Sequence, residues 1–252
     1  MTAAILEIRE LVKNFGAITV NAGINLEVFP GEVHSVIGPN GAGKTTLLAQ
    51  IAGELLPDSG SIRFAGQEVR SLPVHRRAVM GIARSFQITS IFQRFSVLNN
   101  VAMAIRAGNG HSFRFWHRAD RDTAVTGSSK SILERVGLVD RADVIAGRLS
   151  YGEQRQLEIA MVLAMRPKLL LLDEPTAGMG LEESARMVAL LKEIKGQYAL
   201  LLVEHDMDTV FALSDRITVL VYGQAIASGT PAEIRLNPQV QTAYLGSESV
   251  RT

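Results

Sequence analysis

The run Gly38-Pro39-Asn40-Gly41-Ala42-Gly43-Lys44-Thr45 constrains this chain more than any other eight residues in it. It has the form GxxxxGK[ST] and lies between a short apolar run, Val33–Ile37, and a helix-periodic segment, Thr45–Ile51. That strand–loop–helix setting is the one a phosphate loop requires. Glycines at these spacings let backbone N–H groups turn inward around phosphate oxygens, and the start of the following helix adds positive potential. Gly38, Asn40, Gly41 and Gly43 then form the cradle. Lys44 reaches the β- and γ-phosphates, Thr45 binds Mg2+, and Thr46 adds a phosphate contact. The plainer alternative is a Gly-rich turn that holds no ligand.

A second motif fits the first. Leu169-Leu170-Leu171-Leu172 reads as a buried strand and ends in Asp173-Glu174. Ligands of open α/β sheets bind at the carboxyl ends of the strands, so these acids are expected beside the phosphate loop. Asp173 is expected to hold Mg2+ through water, because the small ion keeps part of its hydration shell. Glu174 is then placed to orient and deprotonate an attacking water. Alone, the pair could equally be two solvated acids at a strand end. Together the motifs predict a nucleotide hydrolase of the phosphate-loop class.

The rest of the chain supports an α/β fold. Val33–Ile37, Leu169–Leu172, Ala199–Val203 and Ile217–Val221 have the unbroken apolar character of parallel strands covered on both faces. Helix-periodic segments alternate with them, around Thr45–Ile51, Tyr151–Ala164, Leu181–Lys195 and Met207–Leu213. Ile5–Val12 and Ile18–Val28 are strand-like with little between them, which predicts an antiparallel β-layer before the core. From about Ile88 to Leu149 the character changes to a helical insertion, helix-prone at Asn99–Arg106 and Lys130–Val136, with an irregular polar segment at 107–126. Thr230-Pro231-Ala232-Glu233 reads as a capping box with Pro at the first helical position.

Composition narrows the class further. The chain has 252 residues, 47% of them hydrophobic, yet its greasiest runs fall far short of the ~20 residues a membrane-spanning helix needs. Cysteine is absent, which excludes disulfides, thiolate metal sites and a cysteine nucleophile. The N-terminus has no basic run and meets Glu7 at once, so no secretory signal is expected. With 26 Lys+Arg against 25 Asp+Glu, there is no global basic field to attract nucleic acid.

Between the two motifs lies Leu149-Ser150-Tyr151-Gly152-Glu153-Gln154, followed by a periodic helix. Ser150 suits an N-cap three residues before Glu153, a second capping box at an anion-binding helix start. Here the chain resembles the ATP-binding subunits of ABC transporters, whose signature reads LSGGQ. Other landmarks of that family follow in order. Phe15 matches the aromatic that stacks on adenine, the alternative being a core Phe at a strand end. Gln87 matches the glutamine that senses Mg2+ and the attacking water, with Gln93 as a near competitor. His205 matches the switch histidine that contacts the γ-phosphate and positions the water with Glu174.

The resemblance runs from about Ile5 to Leu245. It implies a P-loop NTPase of ABC type within a single domain, with ATP and Mg2+ as ligands. Its F1-like core and antiparallel β-subdomain comprise residues 1–87 and 164–230. Its inserted helical subdomain spans 88–163 with the loop 107–126, and a C-terminal helical tail spans 231–252. It also implies a head-to-tail dimer, homo- or heteromeric, in which Ser150 and Gly152 of one subunit cover the γ-phosphate bound at Lys44 of the other.

The run 149–164, Glu204-His205-Asp206-Met207, and the tail from Gly229 to Gly246 are similar to branched-chain amino-acid-type importers. The 107–126 segment is similar to the larger ATPase subunit of that system, whose relatives also serve uptake of urea, amides and aromatic acids. Implied partners are a second ATPase subunit, transmembrane permease subunits and, indirectly, a solute-binding protein, with no nucleic acid. The implied location is the cytoplasmic face of the cell membrane. Ile88–Phe95 falls where the family docks its membrane subunits, the alternative being ordinary packing inside the helical subdomain.

Trp116, with Arg114, His117 and Arg118, reads as a solvated loop, because no aromatic–basic repeat extends beyond it. One position departs from the family pattern. Ala177-Gly178-Met179-Gly180 puts Gly where the D-loop usually carries Asp, Asn or Ser, which predicts a looser loop and either weaker coupling across the dimer or a partner whose own D-loop supplies the contact. The competing class is a soluble ABC-type ATPase of nucleic-acid repair or translation. It would need a coiled-coil insertion or a second fused module, and neither is visible.

Overall fold

The computed structural model describes residues 2–85, 91–108 and 123–242. Its centre is a sheet of order β10-β9-β3-β8-β7-β6, made of Val33–Ile37 (β3), Ile82–Arg84 (β6), Leu169–Asp173 (β7), Ala199–Val203 (β8), Arg216–Val221 (β9) and Gln224–Gly229 (β10). All neighbours pair in parallel except the β9–β10 hairpin. That hairpin turns at Tyr222 (φ 47°) and Gly223 (φ 78°), the two positive φ values that a tight two-residue turn demands.

The apolar runs of β3, β7 and β8 have no exposed face: all five residues of each strand are buried. Leu170 and Leu172 of β7, with Leu200 and Leu202 of β8, meet a core built from Val97–Gly108 (α3), Thr123–Arg135 (α4), Tyr151–Ala164 (α5) and Leu181–Ile194 (α6). Leu169 and Leu171, with Leu201 and Val203, point the other way, into a core shared with Lys44–Ala52 (α1) and a second sheet. Each such leucine contributes roughly 1.5–3 kcal/mol by burial, so the centre of the sheet is rigid.

The second sheet is antiparallel, of order β2-β1-β4-β5, from Leu6–Phe15 (β1), Ile18–Val28 (β2), Ser59–Phe64 (β4) and Gln67–Glu68 (β5). It alternates Leu6, Ile8, Ile24, Leu26, Val28, Ile62 and Phe64 into the core over α1. Val74–Met80 (α2) leads into β6, while Met207–Leu213 (α7) and Pro231–Leu236 (α8) flank β9 and β10. Val210 of α7 and Ile234 of α8 close a third core with Ile37, Ile217 and Val219.

The antiparallel layer, the parallel core and the helical insertion agree with the expected fold class. The expectation of an irregular segment at 107–126 fails at both of its ends. Residues 107–108 close α3 and residues 123–126 open α4. Trp116 and its basic neighbours lie outside the described residues, as do Ile88–Ser90, Gln87 and the tail beyond Thr242. Among the described residues no helix is long and apolar enough to cross a membrane.

Candidate functional site

The site stands at the carboxyl ends of three adjacent strands, β3, β8 and β7. β3 runs into the Gly38–Thr45 loop, where Gly38, Gly41 and Gly43 have φ of 153°, 80° and 95°. Two of these glycines are also dictated by space. A Cβ on Gly38 would lie 2.1 Å from the carbonyl oxygen of Leu220, and one on Gly43 would lie 2.4 Å from that of Val20. The buried Asn21 of β2 donates to the Gly43 carbonyl at 3.2 Å and is itself held by Gln50 of α1 at 2.6 Å. Gly43 is the N-cap of α1, which carries no side-chain cap and no acid in its first turn, so its leading N–H groups remain available to an anion.

Lys44 folds back over this loop. Its buried ammonium donates to the carbonyls of Gly38 at 2.7 Å and Pro39 at 3.0 Å. Burial pushes its pKa below the usual lysine range, and the carboxylates of Glu174 and Asp173 pull it back up. Thr45, Asn40 and Gly41 are exposed at the mouth, and Thr46 is half-buried.

Asp173 ends β7 almost fully buried, and Arg84 at the end of β6 donates to its Oδ2 at 3.0 Å. Glu174 follows with φ 47°, a left-handed conformation uncommon for a non-glycine residue. Its amide donates to the Val203 carbonyl at 2.8 Å, and its own carbonyl accepts from Arg155 Nη2 at 3.0 Å. Arg155 thus ties α5 to the acidic turn. His205, just after β8, places Nδ1 3.9 Å from Glu174 Oε1 and 3.8 Å from Glu204 Oε2. Glu204 is fully buried and accepts from the amides of Thr176 and His205, both at 3.1 Å, so it fixes the loop that presents the imidazole.

Phe15 ends β1 as a residue 51% exposed, with Lys13 Nζ 5.6 Å from its ring centroid, so it is not a core residue. Ser150 caps α5, and both halves of the capping box are made, with Ser150 N donating to Glu153 at 2.9 Å and Glu153 N to Ser150 Oγ at 3.2 Å. Ser150 and Gly152 face Glu183 of α6 rather than the Lys44 loop of the same chain. Gln87 falls outside the described residues. Its competitor Gln93 accepts from the Gly147 amide through its backbone at 2.9 Å.

Gly180 departs from expectation. Its φ of −69° and ψ of 166° suit any residue, and open space surrounds its Cβ position, so the loop does not draw on glycine's freedom. Arg84 and Asn21 carry no sequence pattern, and Arg155 and Glu204 fall within runs that show only family likeness, because each acts on a partner remote in the chain or on backbone. Only their nearness to a motif could have marked them.

The ABC transporter family model matches residues 22–177, from β2 through the acidic turn to the loop after it. The chain belongs to the ABC transporter family. The model of the branched-chain amino acid ATP-binding cassette transporter matches residues 226–250 of this cassette. The chain is 38% identical to the high-affinity branched-chain amino acid transport ATP-binding protein LivG of Escherichia coli (strain K12), covering 98% of this chain and 99% of that one. The corresponding protein BraF of Pseudomonas aeruginosa is 38% identical, again over 98% and 99%. Among solved structures, the ADP conformation of MJ1267, an ATP-binding cassette of an ABC transporter, superposes with a TM-score of 0.84. It is 29% identical, over 97% of this chain and all of that one.

Proposed function

We propose that this cassette is the ATP-hydrolysing subunit that powers an importer for branched-chain amino acids or closely related small solutes. The observation that carries the catalytic part is the convergence of Glu174 and His205, 3.9 Å apart, at strand ends flanking the phosphate loop. The near full-length likeness to LivG and BraF supports the transport part, and no feature favours the nucleic-acid alternative.

Gly38, Asn40, Gly41, Gly43, Lys44 and Thr46 bind the phosphates of ATP, and Phe15 stacks on its base. The chain's own donors fit Mg2+. Thr45 offers an exposed hydroxyl and Asp173 a carboxylate, a sparse oxygen set of the kind that leaves room for waters and phosphate oxygens. Bound there, Mg2+ would offset charge on the phosphate oxygens. Glu174 takes a proton from the attacking water as the water oxygen bonds to the γ-phosphorus and the bond to ADP breaks. His205 holds that water and the γ-phosphate in line with Glu174. Gln87 completes the site as a sensor of water and metal.

The site is completed by a second ATPase subunit, identical or related, whose Ser150 and Gly152 equivalents close on the γ-phosphate. Residues 88–163 form the helical subdomain that meets the permease subunits, and the solute-binding protein acts through them at the opposite membrane face. Phe92 and Phe95 support this docking. They are 49% and 47% exposed and meet edge to face, with centroids 6.0 Å apart. We place the working cassette at the cytoplasmic face of the membrane.

The test is reconstitution with co-purified permease subunits and binding protein in proteoliposomes, with ATPase and uptake followed for leucine, urea, an aliphatic amide and an aromatic acid. Leucine-dependent stimulation is expected. Stimulation by urea or an amide alone would reassign the solute, and ATPase without any uptake would remove the importer role.

A further inference from the structure

The signature turn of this chain is already occupied. Ser150 Oγ, which receives the Glu153 amide, donates its single proton to Oε1 of Glu183 at 3.0 Å. Glu183 stands in the first turn of α6, directly after the D-loop. Its carboxylate lies so close over Gly152 that a Cβ there would be 2.5 Å from the carboxyl carbon and 2.6 Å from Oε1. Beside it, the Tyr151 ring reaches within 3.3 Å of the Cβ position of Gly178, which has φ 76°. Ser150, Tyr151 and Gly152 are thus each engaged by the 178–183 segment of their own chain.

This arrangement has a chemical consequence. A hydroxyl proton given to a carboxylate is unavailable to a phosphate oxygen, and a carboxylate beside that oxygen repels it. We infer that Glu183 is a positioning residue that holds the signature turn closed through Ser150 and Gly152. It must swing away before the turn can grip a γ-phosphate presented by the opposing subunit. Release of Glu183 frees the start of α6 and the D-loop together, so arrival of nucleotide on one subunit is transmitted to the 177–183 segment of the other. This inference rests on the sandwich dimer proposed above.

The experiment uses the full-length chain carrying Glu174→Gln, alone and mixed with any second ATPase subunit that co-purifies with it. Sedimentation velocity over a range of protein concentrations in MgATP gives the midpoint of dimerisation. Glu183→Gln, isosteric and neutral, should lower that midpoint about tenfold, in line with the loss of a charge-assisted hydrogen bond. ATP binding by the monomer should not change. In a Ser150→Ala background, the shift from Glu183→Gln should shrink to the part due to the carboxylate over Gly152, a dependence on the Ser150 hydroxyl that a merely structural role would not produce. An unchanged or raised midpoint would overturn the inference while leaving the sandwich standing, as would an equal shift without Ser150. If the parent forms no MgATP-dependent dimer in either mixture, the sandwich and the inference fall together. Thermal unfolding of each variant establishes that it is folded.

Discussion

Arg84 and Asp173, 89 residues apart in sequence, form a buried ion pair at the ends of neighbouring strands, with Nη2 donating to Oδ2 at 3.0 Å. The same guanidinium donates from Nη1 to Glu54, so one cation joins the strand leading toward Gln87 to the acid proposed for Mg2+ and to the end of α1. Removing one member of such a pair strands the other in a low-dielectric interior.

Arg84→Met should therefore destabilise the fold by about 3–5 kcal/mol, a cost dominated by the uncompensated Asp173. The double variant Arg84→Met/Asp173→Asn should recover much of that loss. Urea unfolding midpoints for the two singles and the double check it; equal and additive losses would remove the coupling.

His34 predicts a pH dependence. It is buried on β3, with Nδ1 2.9 Å from the Glu27 carbonyl and Nε2 2.8 Å from Thr218 Oγ1. A carbonyl only accepts, so Nδ1 carries the proton and Nε2 accepts from Thr218. Burial lowers the His34 pKa from 6.5 to about 4. A depressed folded-state pKa gives stability that is full above pH 6.5 and is lost as the pH falls toward 4. The loss should reach roughly 3 kcal/mol. Comparison of the unfolding free energy at pH 7 and pH 4.5 for wild type and His34→Gln isolates this part, which the variant should lack.

Gly180→Asp offers a side chain at the N-cap of α6, where none now bonds the helix start. The backbone there already suits any residue, so stability should rise by a few tenths of a kcal/mol. Thermal unfolding reads this; a fall of more than about 1 kcal/mol would show that glycine is needed there after all.

The parts of this molecule that are legible in sequence are those whose physics is local. The phosphate loop, the two capping boxes at Ser150 and Thr230, and the unbroken apolar strands each declare themselves within a few residues. The short β6 and the Ser- and Gly-containing β4 do not. Three or six residues hold no periodicity, and their strand state comes from pairing with β7 and β1. The helix α4 starts earlier than its composition suggests because Val125 packs against the helical core and Ser129 is buried, overriding a run of Thr, Gly and Ser. The links around the candidate site are tertiary in the same sense. Arg84 to Asp173, Arg155 to the Glu174 carbonyl, and Ser150 to Glu183 join residues 89, 19 and 33 apart.

The sharpest test concerns Glu174, held in a left-handed conformation 3.9 Å from His205. Glu174→Gln keeps its size and removes the base. In MgATP it should lower ATP turnover by about 100-fold or more while leaving nucleotide binding intact and allowing ATP-stabilised dimers to accumulate. Turnover at the wild-type rate would contradict Glu174 as the group that takes the proton of the attacking water.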